Sequence, residues 1–241
     1  MMQTFILVHG AWHGAWCWYK LIPSLEQAGH KAIALDLPAH GKDLTPANAV
    51  TLQHYVERVV QAVDAQPEPM VLVGHSLAGI TISGVAERRP QRIKALVYLD
   101  GVLLGNGESF AEVAARNQPA LCTVLMSNMS VSSDGTTSSV NLGKAKEIFY
   151  ADCSDEDVEH AKKLLRPEPR GPRAEPIQIT DQRFGRVPRV YIECLQDKVF
   201  TPSFKKSMYT AMPCKKVYPM DTGHSPFLSA PAELARILEE V

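Results

Sequence analysis

Short apolar runs alternate with longer amphipathic stretches at both ends of this chain. Each apolar run is rich in Val, Ile or Leu and has the length of a buried strand. The predicted strands cover residues 5–8, 31–35, 71–73, 93–99, 188–194 and 216–218. Strands that alternate with helices are joined by right-handed crossovers, and helices cover both faces of their sheet. The pattern therefore predicts an α/β fold with a mostly parallel central sheet flanked by helices.

The amphipathic stretches between these strands predict helices. In residues 51–65, the clearest case, apolar side chains recur near helical spacing at Leu52, Tyr55, Val56, Val59 and Val63. Thr51 precedes them and has a hydroxyl that suits a helix N-cap. Further helices are predicted at residues 18–28, 80–88, 203–211 and 232–241.

The alternation stops in the middle of the chain. Residues 102–186 contain helical patterns at 109–116, 144–149 and 155–165, a Ser/Thr-rich stretch and a Pro/Arg/Glu-rich stretch, and no predicted strand. Two surface loops would be one interpretation. So long a stretch without strands is better explained as an inserted helical cap over the site. We therefore predict a core of residues 1–101 and 187–241, with a cap insertion at 102–186.

Composition narrows the function classes. The chain has 241 residues, 25 basic and 26 acidic, with a net charge of −1, so no nucleic-acid partner is expected. No apolar stretch approaches the roughly 20 residues that span a bilayer, and the start of the chain lacks a signal-peptide pattern. A cytoplasmic protein without membrane contact is expected. The five cysteines form no C-x-x-C pair, and their spacing predicts no metal site.

The chemistry begins at the apolar run that ends in Gly74, His75 and Ser76. A strand, a turn of small residues and a helix are typical of a nucleophile elbow, which presents a serine hydroxyl at its tip. The pattern G-x-S-x-G is met in part, because Ala78 stands where a second glycine is usual. An ordinary strand-to-helix turn is the alternative. Ser76 is the predicted nucleophile.

A serine hydroxyl needs a base, and a chain order of serine, acid, histidine requires that base late in the sequence. Of the eight histidines, His224 lies after the last predicted strand, in a turn-rich loop. The acid that orients it is predicted to be Asp197, which follows a strand and lies between Ser76 and His224. Asp100 is the rival, because it also follows a strand.

Two N–H groups must stabilise the oxyanion of the tetrahedral intermediate. The predicted donors are the amides of Leu77, after the nucleophile, and of Ala11, in the loop after the first strand. Gly10 would let this loop approach the substrate oxygen, and Trp12 would contact the substrate. Trp16 and Trp18 lie nearby, and the three tryptophans could line a pocket or equally cap the sheet. His75 and His40 are expected to be structural.

Together these residues resemble the α/β-hydrolase fold family. The nearer likeness is to the branch of plant methylesterases and hydroxynitrile lyases, with bacterial carboxylesterases and pyrethroid hydrolases. The resemblance rests on the motifs at residues 7–16, 34–37, 74–77, 183–192, 196–198 and 223–224. It implies a Ser76, Asp197, His224 triad, a helical cap, no cofactor, small ester substrates and a frequent homodimer.

The resemblance also supplies the main alternative to an ester hydrolase, which is a hydroxynitrile lyase. Hydroxynitrile lyases of this branch resemble one another in a threonine after the first-loop histidine and a lysine after the catalytic histidine. Here these positions are Gly10 and Ser225, so neither the cyanohydrin ligand nor the cation for departing cyanide is present. A third interpretation is a ligand receptor that keeps this fold but has little catalytic turnover. We predict a carboxylic ester hydrolase that acts through an acyl-enzyme on small, largely apolar esters.

Overall fold

The computed structural model describes residues 2–117 and 119–241. Met1 of the predicted core and Gln118 of the predicted cap lie outside the described residues. The described chain has nine strands. In chain order these are β1 Thr4–Val8, β2 Lys31–Leu35, β3 Met70–His75, β4 Ile93–Leu99, β5 Met129–Val131, β6 Thr137–Val140, β7 Glu168–Pro169, β8 Arg189–Cys194 and β9 Lys216–Met220.

Six of these strands form one sheet in the order β2-β1-β3-β4-β8-β9. Every pairing between its neighbours is parallel, which confirms the predicted α/β-hydrolase architecture. Strand β3 is buried along its whole length because helices cover both faces of the sheet. The strand order reverses at β1, which pairs with β2 on one side and β3 on the other. In open parallel sheets, ligands bind beyond the carboxyl ends of strands at such a point.

Eight of the eleven α-helices in the described residues lie at predicted positions, with small shifts at their ends, and those at 123–126, 171–174 and 226–229 were not predicted. They are α1 Leu21–Gln27, α2 Leu52–Asp64, α3 Ala78–Arg88, α4 Phe110–Arg116, α5 Thr123–Met126, α6 Ala145–Phe149, α7 Asp155–Leu164, α8 Gly171–Ala174, α9 Pro202–Ala211, α10 Pro226–Ser229 and α11 Pro231–Glu239. Helix α2 begins at its predicted N-cap, where the Thr51 hydroxyl accepts the His54 N–H at 3.2 Å. Its predicted apolar stripe is buried.

The expectation of no strands within residues 102–186 is wrong. Strands β5, β6 and β7 form a small antiparallel sheet in that segment. The Ser/Thr-rich stretch folds into a hairpin, because Asp134 accepts hydrogen bonds from Ser132 and Thr136, and Gly135 adopts a φ of +73°. Composition alone made this stretch look like a loop.

The boundaries of the cap stay a prediction. Among the described helices, none has the length and apolarity needed to cross a membrane.

Candidate active site

Ser76 lies in a strained turn between β3 and α3. Its φ is +52°, a left-handed conformation that non-glycine residues rarely adopt. Three hydrogen bonds hold it there: the Ser76 amide donates to the Leu99 carbonyl at 3.1 Å, and its carbonyl accepts from the amides of Gly79 at 3.1 Å and Val102 at 2.9 Å. The neighbouring strand and the following loop therefore fix the elbow that the sequence pattern predicts.

The close backbone approach at the elbow falls on Gly79 and not on Ala78. A Cβ atom added at Gly79 would lie 2.3 Å from the Val102 carbonyl oxygen, and one added at Gly74 would lie 2.9 Å from the Ala78 carbonyl oxygen. Ala78 itself is buried and its methyl group is accommodated. The departure from G-x-S-x-G thus leaves the turn tight, because the glycine next in sequence makes the critical contact.

Both candidate acids lie beside His224. The Nδ1 atom of His224 is 3.0 Å from Asp197 Oδ1 and 3.8 Å from Asp100 Oδ2. Asp197 is held by the amides of Val199 at 2.8 Å and Phe200 at 2.9 Å, which direct its carboxylate towards the imidazole. Asp100 instead accepts from the Cys194 amide at 3.1 Å. The carboxylate nearer to His224 is that of Asp197, the residue predicted as the acid in preference to Asp100.

A buried lysine that sequence reasoning missed compensates these carboxylates. Lys205 of α9 is 1% exposed, and its Nζ lies 3.3 Å from Asp100 Oδ1 and 3.9 Å from Asp197 Oδ2. It also donates to the Cys194 carbonyl. Asp100, Asp197 and His224 have the donor atoms of a metal site, but the ammonium of Lys205 already lies against both carboxylates. Nothing in the local pattern of α9 marks this position as a buried cation.

Burial and charge act against each other in this cluster. Burial lowers the pKa of His224, but the carboxylates of Asp197 and Asp100 outweigh that effect and raise it above its ordinary value. Burial raises the pKa of Asp197, but the imidazole and Lys205 lower it to about 2. For Asp100, burial and the neighbouring Asp197 raise the pKa to about 6. Asp197 is thus the carboxylate held ionised against His224.

The loop after β1 is oriented by a buried histidine. Leu37 donates its amide hydrogen to His9 Nε2 at 3.1 Å, so the Nδ1 atom carries the proton that is donated to the Gly10 carbonyl at 2.9 Å. Burial lowers the pKa of His9, which keeps the ring neutral. In a trans peptide group the C=O and the N–H point in opposite directions. The hydrogen bond from His9 to the Gly10 carbonyl therefore directs the Ala11 N–H away from His9. Sequence reasoning missed this role of His9.

Ala11 and Leu77 both line the cleft that Ser76 also lines. Across residues 2–117 and 119–241, neither amide has a hydrogen-bond acceptor. Buried or half-buried N–H groups are nearly always paired, so two free donors beside a serine are unusual. They leave room for an acceptor that the protein itself does not supply.

This cleft opens beside the elbow, with Ser76 and Leu77 in its wall. Trp12 lines it, which is one of the two alternatives that the sequence left open for the tryptophans. Its φ is +64°, and its amide donates to Glu168 Oε2 at 2.9 Å. Most of the wall is apolar, formed by Phe110, Leu121, Leu125, Met129, Val199 and Phe200. Glu168 and Arg173 add charge to it, and neither was found from the sequence because they lie in the Pro-rich stretch.

The remaining predicted residues support this arrangement from behind. Gly10 lies against the nucleophile, where an added Cβ atom would be 2.8 Å from the Ser76 Cβ. His75 Nε2 donates to the His224 carbonyl at 2.9 Å, and His40 Nε2 lies 2.7 Å from Glu168 Oε2; the structural roles expected of both histidines stay predictions. Two of the tryptophans lie in different surroundings. Trp12 lines the cleft, while Trp18 is buried against Phe227, with ring centroids 4.8 Å apart.

The sequence model of the alpha/beta hydrolase family matches residues 5–237. The chain belongs to this family. Within it, Methylesterase 3 of Arabidopsis thaliana is 32% identical over 255 residues, which cover 99% of this chain and 95% of the relative. The alpha-hydroxynitrile lyase of the same plant is 34% identical over 240 residues, covering 95% of this chain and 93% of the relative.

The crystal structure of polyneuridine aldehyde esterase superimposes with a TM-score of 0.89 at 29% identity, covering 100% of this chain and 99% of that one. Some α/β hydrolases of this branch are longer: the chain spans 63% of one chloroplastic relative from Arabidopsis thaliana. These similarities identify the chain as a methylesterase-like α/β hydrolase, which confirms the resemblance found in its motifs.

Proposed function

We propose that this α/β hydrolase is a serine carboxylesterase that acts through an acyl-enzyme. The observation that carries the proposal is the strained Ser76, which lies in an apolar cleft beside the unbonded amides of Ala11 and Leu77. A nucleophile and two free N–H donors at one point are the parts that acyl transfer requires. The curated names of its relatives support ester substrates.

Acylation begins at the Ser76 hydroxyl. Because Nδ1 of His224 faces Asp197 at 3.0 Å, its Nε2 is the atom left to accept the serine proton. The Ser76 Oγ then bonds to the ester carbonyl carbon, and the amides of Ala11 and Leu77 hold the resulting oxyanion. Asp197 stabilises the imidazolium that forms. His224 returns the proton to the leaving alcohol as the ester bond breaks.

Deacylation uses the same groups with water as the nucleophile. His224 takes a proton from water, the hydroxide adds to the acyl carbon, and the carboxylic acid leaves as Ser76 regains its proton. The residues perform these steps without a metal or organic cofactor. The apolar cleft wall favours small, largely apolar esters.

Some properties of the protein stay predictions beside this proposal. We expect the ester to be its only class of partner apart from a second copy of the chain in a homodimer. No nucleic acid or membrane partner is expected, and the cytoplasm is the expected location.

The test compares wild type with Ser76→Ala on p-nitrophenyl acetate, butyrate and octanoate, with mandelonitrile cleavage measured in parallel. By analogy with triad knockouts, the variant should lose about 10⁵–10⁶-fold in kcat. Ser24→Ala is the matched control, since that hydroxyl bonds only to the Lys20 carbonyl of α1 within the described chain.

Ester turnover that is lost in Ser76→Ala and kept in Ser24→Ala would support the esterase. Cyanide release without ester turnover would make the protein a hydroxynitrile lyase, in spite of Gly10 and Ser225. Failure of both reactions would favour the low-turnover receptor.

A further inference from the structure

Arg173 brings a positive charge to the wall of the catalytic cleft. It belongs to α8 in the cap and is half-buried, and it lines the same cleft as Ser76. Its guanidinium carbon lies 5.4 Å from the centre of the Phe110 ring. A cation over an aromatic face is held in place by the ring, but all of its N–H donors stay available.

Those donors have no acceptor among the residues that the structure describes. Within residues 2–117 and 119–241, Arg173 makes no hydrogen bond and no ion pair, whereas two arginines nearby in sequence are both satisfied. Arg166 donates to the Asp43 carbonyl at 3.2 Å, and Arg170 donates to the Gly135 carbonyl at 2.9 Å. The N–H donors of a half-buried guanidinium with no acceptor among the described residues remain free to pair with a ligand.

Glu168 is the acid on the same wall, and its charge is already matched. Its Oε2 accepts from the Trp12 amide at 2.9 Å and from His40 Nε2 at 2.7 Å, and its Oε1 accepts from the Tyr55 hydroxyl at 3.1 Å. The other ring nitrogen of His40 lies 3.0 Å from the Pro38 carbonyl, so both nitrogens donate and the ring is an imidazolium. The His40–Glu168 pair is neutral overall, so the Glu168 charge, which acts on Arg173 without forming an ion pair, compensates the guanidinium only in part.

We propose that Arg173 binds a free carboxylate on the substrate, so that the enzyme's preferred class is an ester bearing a second, ionised acid group. The inference rests on the proposed esterase function and specifies its substrate class. The apolar wall would contact the carbon chain, while the planar guanidinium meets the carboxylate with two parallel N–H bonds. Hydrolysis consumes one water and yields a carboxylate, an alcohol and a proton, and the second carboxylate stays on whichever product carried it.

The experiment measures kcat/KM for matched ester pairs. Monomethyl esters of the acids from succinic to suberic are compared with the corresponding dimethyl esters, which have nearly the same shape and no charge. Acetyl esters of ω-hydroxy acids test a carboxylate on the alcohol side. The variants are Arg173→Met, which keeps much of the side-chain bulk, and Arg173→Lys, which keeps the charge. Arg170→Met is the control, because that arginine is exposed and bonded to Gly135.

Arg173→Met should lower kcat/KM for the best monoester about ten- to hundredfold and change that of its dimethyl ester by less than about threefold. Arg173→Lys should recover part of the loss, and Arg170→Met should resemble wild type. Equal losses on charged and neutral esters, or no loss on either, would overturn the assignment of Arg173. Neutral esters cleaved by wild type would still support the esterase in that case.

A binding measurement separates the two proposals if wild type cleaves no ester. In the Ser76→Ala background, the dissociation constant of monomethyl adipate is measured by calorimetry with and without Arg173→Met. Binding weakened about tenfold or more supports the carboxylate site even though the esterase proposal has failed. Affinity that is unchanged, or too weak to detect in both proteins, overturns the carboxylate site. Thermal melts of every variant check that it is folded.

Discussion

The Glu168 carboxylate, in the segment predicted as a cap, accepts the backbone N–H of Trp12 at 2.9 Å. Trp12 directly follows Ala11, which lines the cleft, so the Glu168 side chain fixes the loop that contains a proposed oxyanion donor. On its other side this loop is fixed by His9, through the Gly10 carbonyl. Two buried groups, one from the core and one from the cap, thus set the direction of the same short segment.

The first prediction concerns this relationship. Glu168→Gln keeps the shape of the side chain. It removes the negative charge that keeps His40 protonated, and it also removes one strong hydrogen-bond acceptor. We expect the free energy of unfolding in urea to fall by about 1–3 kcal/mol. We expect kcat to fall about tenfold with a smaller change in KM, because the loop positions a transition-state contact.

Glu175→Gln is the control for this prediction, since Glu175 lies in the same segment and accepts from the Leu52 amide at 3.2 Å, outside the cleft. It should change stability by no more than about 0.5–1.5 kcal/mol and leave kcat intact. A Glu168→Gln variant with wild-type kcat would contradict a positioning role.

The second prediction ranks the two acids. Asp197 lies 3.0 Å from His224 Nδ1 and Asp100 lies 3.8 Å from it, so Asp197→Asn should be far more damaging. A loss of about 10³–10⁴ in kcat is expected for Asp197→Asn, because the imidazole loses its orienting charge. Asp100→Asn should cost about tenfold or less. Steady-state kinetics of both variants on one ester measures the two losses. A larger loss for Asp100→Asn would assign the role of orienting His224 to Asp100.

The third prediction is the pH profile. His224 must be neutral to act as base, and the adjacent carboxylates raise its pKa above the ordinary value of 6.5 against the effect of burial. The value of kcat/KM should therefore fall as the pH falls, with a midpoint above 6.5. Asp197→Asn removes the main raising charge, so the midpoint should move to lower pH. A profile that is flat down to about pH 5 would rule out His224 as the base.

The fourth prediction tests the elbow by exchanging its small residues. Gly79→Ala would bring a methyl group within 2.3 Å of the Val102 carbonyl oxygen, and neither backbone can move away easily. We expect its unfolding free energy to fall by about 1–3 kcal/mol or more, and kcat to fall with it. Ala78→Gly, the matched change, restores G-x-S-x-G and should cost at most about 1 kcal/mol with activity retained. Equal tolerance of both changes would show that the elbow is not tight at Gly79.

Local patterns in the sequence determined much of this protein. Apolar runs placed the strands of the main sheet, because a strand buried on both faces must be apolar whatever its partners are. The order of Ser76 and His224, each after a strand, placed them at one edge of the sheet, because parallel strands end on the same side. The small residues around Ser76 marked the elbow for steric reasons that act within a few residues.

Only the tertiary structure decided the groups that act across long sequence separations. The choice between Asp197 and Asp100 depends on which loop amides hold each carboxylate, and both follow strands in the same way. Lys205 lies in an ordinary amphipathic helix, and its charge acquires meaning only when the fold brings two carboxylates to it. Glu168 and Arg173 lie in a stretch whose composition resembles a solvated loop. Their positions arise from the tertiary fold, which buries one acid beside His40 and brings one cation to the wall of the cleft that Ser76 also lines.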